Sequence, residues 1–131
     1  MTSTIPTEAP CLFCTISVER VVAENELAFA IRDGFPVTPL HTLVIPKRHV
    51  LDFFGLTPAE LQACSILLND LKTAIDLEDP AVAGFNIGMN AGAAAGQTIF
   101  HCHVHLIPRR VGDVENPRGG VRHLIPGKGH Y

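Results

Sequence analysis

The stretch GQTIFHCHVHLIPRR (residues 96–110) places three of the chain's seven histidines on every second residue. These three are His101, His103 and His105. Because successive side chains of a strand point to opposite faces, the alternation predicts a strand with all three imidazoles on one face, about 7 Å apart. The opposite, apolar face would carry Cys102, Val104 and Leu106. The stretch therefore predicts a strand with one dry face and one chemical face.

Three imidazoles on one face favour a chemical role, since burying three polar rings destabilises a fold unless each ring finds a partner. Two active interpretations stay open. In the first, imidazoles two residues apart chelate one metal ion, with a third ligand elsewhere in the chain. In the second, one imidazole is a nucleophile, and its neighbours set its tautomer and contact an anionic substrate.

The segment just before the histidines has the composition of an anion site. Its glycines and alanines, in NAGAAAGQT (residues 90–98), would let backbone N–H groups approach a phosphate closely. Asn90, Gln97 and Thr98 add amide and hydroxyl donors beside Gly96. The segment lacks the GK[ST] of a Walker loop, so the prediction is a phosphate contact of another kind.

The remaining segments predict an α+β domain with a mainly antiparallel sheet. Residues 26–33 and 41–46 are short, rich in β-branched and aromatic residues, and bounded by Gly, Pro and Asp, which is typical of strands. A weaker strand is predicted at residues 19–25, and a glycine-containing strand at residues 84–90. Strands that do not alternate regularly with helices favour α+β over a parallel, doubly wound sheet.

One long helix is predicted over residues 57–77. Thr57 stands at the N-cap, Pro58 at the first helical position, and Glu60 where it completes a capping box. Apolar residues then recur at steps of three and four, which predicts one apolar face docked on a flat surface. The predicted face consists of Leu61, Cys64, Leu68, Leu71 and Ile75.

Length and composition predict one globular domain. The chain has 131 residues, of which 47% are hydrophobic, enough to bury a core. A net charge of −3 argues against a protein that coats nucleic acid or binds membranes through basic patches. Without an apolar run long enough to span a bilayer or a secretion signal, we expect a cytoplasmic protein. We expect a tail at residues 1–10, the domain at 11–110 and a basic C-terminal arm at 111–131.

The CLFC motif (residues 11–14) is ambiguous by itself, because a CxxC pair can be redox-active, metal-binding or accidental. The βαβ pattern expected of a thioredoxin-like protein does not follow it. A tetrahedral zinc site needs two further ligands, and His49 would supply one of them. Two thiols without a metal remain the competing interpretation.

The run from His101 to Ile107 resembles the signature of the histidine triad (HIT) family, in which three histidines alternate with apolar residues. GQT just ahead of it belongs to the same pattern, and Cys102 stands where a valine is usual. The likeness extends through LAFAIRD (residues 27–33) and PLHTLVIPKRHV (residues 39–50), hence over nearly the whole chain. It implies a HIT-like fold with a five-stranded sheet, one long helix and a short N-terminal helix.

This resemblance implies nucleotidyl transfer to a histidine. His103 would attack the α-phosphorus of a nucleoside phosphoramidate or dinucleoside polyphosphate, and His105 would contact the phosphate. Asp33 would bind the ribose hydroxyls. The phosphate or pocket positions matched by the family pattern are His41, Asn90, Gly96, Gln97 and Thr98. The matched base-pocket positions are Phe13, Ile16 and Ile31.

The resemblance further implies the zinc-containing, bacterial-type branch of the family. A structural zinc would be held by Cys11, Cys14, His49 and His101. It also implies a purine nucleotide or nucleotide conjugate as ligand, a homodimer, and a C-terminal arm that borders the active site. Two other functions stay open: a metal-dependent hydrolase with the three histidines as catalytic ligands, and a nucleotide-binding regulatory protein with negligible turnover.

Overall fold

A computed structural model describes residues 11–130 and confirms the α+β class. Five strands form one antiparallel sheet in the order β1-β2-β3-β5-β4. The strands are β1 (Val21–Glu24), β2 (Ala28–Arg32), β3 (Thr42–Pro46), β4 (Val82–Gly88) and β5 (Val104–Arg110). The long helix is α1 (Pro58–Glu78). Short 3-10 turns lie at Leu12–Cys14, Val18–Arg20, Phe53–Gly55, Ala93–Ala95 and Gly120–Leu124. Within residues 11–130, no helix is long and apolar enough to cross a bilayer.

The start of α1 is fixed by the predicted capping box. The Thr57 hydroxyl accepts a hydrogen bond from the Glu60 N–H (3.1 Å), and the Glu60 carboxylate accepts one from the Thr57 N–H (2.9 Å). Arg48 donates two more hydrogen bonds to the same carboxylate, both 2.8 Å long. Together these hydrogen bonds lower the pKa of Glu60 to about 2. Those from Arg48 make the largest contribution, and the bond from the Thr57 N–H makes the next largest. The helix start is thereby tied to the segment that follows β3.

The apolar face of α1 differs in part from the predicted one. Cys64, Leu71 and Ile75 are buried as predicted, whereas Leu61 is 44% exposed and its prediction is wrong. At about 100° per residue, Leu61 lies about 80° from Leu71, at the rim of the buried arc. Leu68 lies near the same rim and is only partly buried. The buried positions that the prediction omitted are Glu60, Ala63 and Leu67.

The sheet has a core on each face. On one face, residues of β2, β3 and β5 pack against α1: Ala28, Ala30, Val44, Val104 and Leu106. The other face carries a smaller cluster of Phe13, Ile31, Leu43 and Ile45. In the strand register, Leu43 pairs with Ile31 on one side and His105 on the other. His105 therefore lies on the face away from the helix, in a row with apolar side chains.

The histidine segment joins the sheet only at Val104, so the prediction of one strand through all three histidines is wrong at its start. Continuing the β3–β5 register from Val44↔Val104 would bring Cys102 opposite Pro46, which has no N–H to donate. The Cys102 N–H instead donates to the Val50 carbonyl at 2.7 Å. Cys102 is still buried, as the prediction of an apolar face required.

The loop between β2 and β3 brings two predicted site residues together. The Asp33 N–H donates to the His41 carbonyl at 2.9 Å, which closes the loop. Leu40, just before His41, has a left-handed backbone (φ 71°). That conformation costs a residue with a Cβ about 1–2 kcal/mol. Asp33 and His41 consequently lie side by side at one end of the sheet.

We predict that Glu60→Gln lowers the free energy of unfolding at pH 7 by about 1–2 kcal/mol, because it removes the negative charge that accepts two hydrogen bonds from Arg48, while the Gln amide oxygen can still complete the capping box. Since folding lowers the pKa of Glu60 from 4.5 to about 2, its contribution is present above pH 4.5 and is lost as the pH falls toward 2. The gap between wild type and variant should therefore shrink over that range.

Urea unfolding at pH 7 and at pH 3 measures this gap. Asp76→Asn is the control, because it removes the carboxylate of the exposed Lys72–Asp76 pair, which we expect to contribute under about 0.5 kcal/mol. A Glu60→Gln effect no larger than the control, or one that grows on acidification, would contradict this account of the helix start.

Candidate active site

The imidazole of His103 is held by the main chain. Its Nδ1 lies 2.8 Å from the His101 carbonyl oxygen, and because a carbonyl can only accept, Nδ1 carries the proton. In the neutral ring the lone pair is then on Nε2. Phe13 packs edge-on against the same ring, with centroids 5.0 Å apart. The arrangement presents a nucleophilic nitrogen from a ring that is fixed on two sides.

A chain of hydrogen bonds likewise sets the tautomer of His105. The Val37 N–H donates to Nδ1 of His41 at 3.0 Å, so the proton of the neutral His41 ring is on Nε2. That Nε2 lies 2.9 Å from Nδ1 of His105, which therefore accepts. The His105 proton is then on Nε2, where it can be donated to a ligand. Asp33 lies 3.4 Å from the same His41 nitrogen.

These two histidines are uncharged near neutral pH. Burial lowers the pKa of His41, although Asp33 opposes the shift. Burial, followed by the neighbouring His103 and His41, lowers the pKa of His105 to about 4. His105 thus offers a neutral N–H donor.

Most of the predicted nucleotide-site residues line one pocket of about 300 Å³. They are Phe13, Ile31, Asp33, Asn90, Gly96, Thr98, His103 and His105. The sequence predictions omitted the six other residues that line the same pocket, which are Leu12, Arg20, Gly34, Phe35, Leu43 and Ile99. Leu43 could have been found from strand alternation, because it lies between Ile31 and His105 in the register, whereas no local pattern marks Arg20. The volume is within the usual range for small-molecule sites.

Three predicted residues lie outside this lining. His41 is 2% exposed and acts through His105, as described above. Ile16 packs at the edge of the Phe13 cluster and lines a separate depression with Val18 and Phe29. Gln97 is 3% exposed and lies behind the loop that carries Gly96 and Thr98.

The Gln97 side chain holds this loop in place. Its amide oxygen accepts from the Gly92 N–H at 2.8 Å, and its amide nitrogen donates to the carbonyls of Leu51 (2.7 Å) and Ile99 (3.1 Å). The N–H groups of Ala95, Gly96 and Gln97 also donate within the loop. These backbone donors are thus used locally, and the direct phosphate contact predicted for Gln97 stays a prediction.

A second cluster brings together Cys11, Cys14, His49 and His101, and their donor atoms lie within 4.8 Å of one another. Nδ1 of His101 lies 3.4 Å from the sulfur of Cys11 and 3.5 Å from the sulfur of Cys14. Nδ1 of His49 lies 3.3 Å from the sulfur of Cys14. Tetrahedral zinc with ordinary bond lengths would separate sulfur and nitrogen ligands by about 3.6 Å.

His101 is prepared to bind a metal ion through Nδ1. Its Nε2 lies 2.8 Å from the Pro46 carbonyl, which can only accept, so Nε2 carries the proton and Nδ1 faces the sulfurs with a lone pair. The ring is fully buried. By distance, tautomer and donor chemistry, this cluster could hold a metal ion, and its four protein ligands would leave no open position.

Comparison with known proteins identifies the family. The HIT domain model matches residues 17–112, so the chain belongs to the HIT domain family. An uncharacterized HIT-like protein of Mycoplasma genitalium is 42% identical over 109 residues, which cover 79% of this chain and 75% of that protein. Membership supports a protein of the nucleotide-binding hydrolase or transferase kind.

Solved structures share the fold. A Zn-bound histidine triad family protein from Mycobacterium smegmatis superposes with a TM-score of 0.71 at 35% identity, over 79% of this chain and 77% of that chain. A HIT family hydrolase from Legionella pneumophila superposes with a TM-score of 0.65 at 30% identity, over 77% of this chain and 94% of that chain.

We predict that Gln97→Ala lowers the free energy of unfolding by about 2–3 kcal/mol, because it leaves buried loop and Leu51 groups without partners. Thr98→Ala, its neighbour on the exposed pocket side, should change stability by less than about 0.5 kcal/mol. Urea unfolding of both variants without ligand measures the difference. If the two variants unfold alike, Gln97 does not hold the loop.

Proposed function

We propose that the protein is a nucleotide hydrolase or transferase that cleaves at the α-phosphate through a covalent nucleotidyl-His103 intermediate. The observation that carries the proposal is the pair of opposed tautomers. His103 is protonated on Nδ1 and presents the Nε2 lone pair, whereas His105 is protonated on Nε2 and presents a donor. One ring can attack phosphorus while the next stabilises the charge that develops on the phosphate oxygens.

In the first step, Nε2 of His103 forms a bond to the α-phosphorus, and the bond from phosphorus to the leaving group breaks. Its electron pair goes to the leaving nitrogen or oxygen, which is protonated from solvent when its basicity requires. The His103 ring keeps its Nδ1–H bond to the His101 carbonyl throughout. In the second step, water attacks phosphorus, the P–N bond to His103 breaks, and the water proton is released. The products are a nucleoside monophosphate and the free leaving group.

The nucleotide would lie with its base against the apolar wall of the pocket. Phe13, Ile31 and Leu43 form that wall, and Asp33 at its end can accept hydrogen bonds from the ribose hydroxyls. Asn90, Gly96 and Thr98 also line the pocket, where the Asn90 amide and the Thr98 hydroxyl offer donors to the phosphate. Gly96 has φ 96°, a conformation that favours glycine. A purine fits this proposal because its flat ring gains most from the apolar wall.

Zinc in the cysteine and histidine cluster would have a structural role. It would join the N-terminal turn, the end of β3 and the start of the histidine segment through Cys11, Cys14, His49 and His101. The match between the observed S···N distances of 3.3–3.5 Å and tetrahedral geometry supports it. His101 would then orient the backbone carbonyl to which His103 is bound.

The alternative of a catalytic metal held by the three histidines has little geometric support. His101 turns toward the cysteines, and His103 and His105 are each engaged through Nδ1 with another partner. A nucleotide-binding regulatory protein is the remaining alternative. It would bind a nucleotide in the same pocket without forming an adduct.

A homodimer is part of the same proposal and rests mainly on the family resemblance. Strand β4 lies at an edge of the sheet, and α1 exposes Leu61 (44%) and Ile66 (49%). An unpaired strand edge and exposed apolar helix residues are each suited to pairing with a second copy.

We predict that mixing the protein with adenosine phosphoramidate, followed by a quench in mild base, yields a protein carrying one nucleotidyl group by mass spectrometry. His103→Ala should carry none and should lose turnover by at least about 10³-fold. His130→Ala, which changes an exposed histidine of the C-terminal arm, is the matched control and should behave like wild type. Turnover that persists in His103→Ala would reject the intermediate. Tight binding with neither adduct nor turnover would favour the regulatory protein.

We predict that protein purified without added metal contains about one zinc per chain, as a four-ligand site requires. Cys14→Ser should lose the zinc and unfold at lower urea concentration. Cys64→Ala is the control, because this buried thiol lies outside the cluster and burial raises its pKa to about 11. Inductively coupled plasma mass spectrometry measures the metal. A zinc content that does not fall in Cys14→Ser would refute the site.

A further inference from the structure

A row of paired residues crosses the sheet under the proposed nucleotide pocket. His105 of β5 pairs with Leu43 of β3, and Leu43 pairs with Ile31 of β2. Ile31 pairs in turn with Val21 of the edge strand β1. Paired residues point to the same face, and neighbouring strands lie about 4.8 Å apart. The row therefore runs for about 14 Å, from the histidine proposed to contact the phosphate to the edge of the sheet.

Arg20 lines the pocket toward the β1 end of this row. It directly precedes Val21 in the chain, and its Nη2 donates a hydrogen bond to the Arg32 carbonyl at 3.1 Å. A Cβ added at Gly34 would lie 4.0 Å from the same nitrogen. The guanidinium is thus held at the end of β2, which β3 separates from the histidines of β5.

The guanidinium of Arg20 can donate further hydrogen bonds. An arginine side chain carries five N–H donors and no acceptor, and the Arg32 carbonyl takes one of them. Among the described residues, no carboxylate forms an ion pair with Arg20, and no other acceptor takes its side-chain N–H groups. Because Arg20 belongs to the pocket lining, these donors are available to a ligand in the pocket.

The proposed ribose contact lies near the phosphate end of the pocket. Oδ2 of Asp33 lies 3.4 Å from Nε2 of His41, and that nitrogen contacts His105. A nucleotide with its phosphate at His105 and its ribose at Asp33 would extend its base along the row toward β1. The C6 side of a purine lies away from the bond to the ribose, so this side would meet Arg20.

Resting on the proposed function, the geometry points to Arg20 as the residue that selects the base. The preferred substrates are nucleotides of 6-oxopurines, which are guanine and hypoxanthine. Guanine presents two acceptors on this side, O6 and N7, and a guanidinium can donate to both of them. Adenine instead carries an amino group at C6, whose N–H bonds would face the donors of Arg20. The chemistry at phosphorus is the same for both bases, so the selection lies in binding.

Isothermal titration calorimetry with GMP, IMP and AMP tests this selection. Wild type should bind GMP about tenfold more tightly than AMP. IMP lacks the 2-amino group of GMP and should bind as GMP does, which attributes the preference to the C6 side. Arg20→Gln should reduce the preference for GMP by about tenfold, because an amide offers adenine both a donor and an acceptor. Arg20→Lys should retain the preference, because its side chain also carries donors alone.

Lys72→Ala is the matched control, because it removes one positive charge from the exposed Lys72–Asp76 pair of α1. It should leave all three affinities unchanged. Equal affinities of wild type for GMP, IMP and AMP would overturn the selection while the proposed function stands. A loss in Arg20→Gln that is equal for the three nucleotides would also overturn it, because Arg20 would then contribute charge without reading the base. If wild type binds none of them and forms no adduct with adenosine phosphoramidate, the proposed function and the selection are both overturned.

Discussion

The hydrogen bond from the Cys102 N–H to the Val50 carbonyl determines how the three histidines are used. It takes the chain out of the β3 ladder at the position opposite Pro46, and the segment before Val104 is free to follow its own path. The ring of His101 then turns toward the two cysteines, and the ring of His103 folds back onto the carbonyl of His101. A regular strand would have held three parallel, equivalent imidazoles. Because the hydrogen bonds between β3 and β5 end at Val104, the three imidazoles have different partners.

His41 and His105 act in the site as neutral groups with fixed hydrogen-bond directions, beside the cationic Arg20 in the pocket lining. Burial lowers the pKa of both His41 and His105, which favours the neutral form of each ring near pH 7. Donors and acceptors are ordered from the Val37 N–H through His41 to His105, each ring accepting through one nitrogen and donating through the other. Such preorganised dipoles stabilise a developing charge without reorganising at the moment of reaction.

Much of the fold and site could be predicted from the sequence, because the relevant patterns are local. The capping box of α1, the apolar positions beside the histidines and the CxxC pair each lie within a few residues of one another. Matching to a family pattern added Asp33 and the other pocket residues, most of which line one pocket. The failures depend on long-range contacts. The prediction that Leu61 is buried is wrong because its exposure depends on the rotation of α1 about its own axis where it packs on the sheet. The start of β5 depends on Pro46, which lies on another strand. Gln97 holds the loop through a hydrogen bond to Leu51, which lies 46 residues earlier in the sequence. No local sequence pattern indicates such a contact.

The bond from the Val37 N–H to His41 has a consequence for how this protein can vary. The side chain of Val37 has no part in that bond, so nearly any residue could stand at position 37 without disturbing the protons of the two buried rings. Proline alone lacks the N–H and would remove the donor. As far as this bond is concerned, every residue other than proline is equivalent at position 37, although the proton arrangement of the site depends on it. The protonation of these rings thus depends on the conformation of the main chain, and comparing residue identities between proteins does not reveal it.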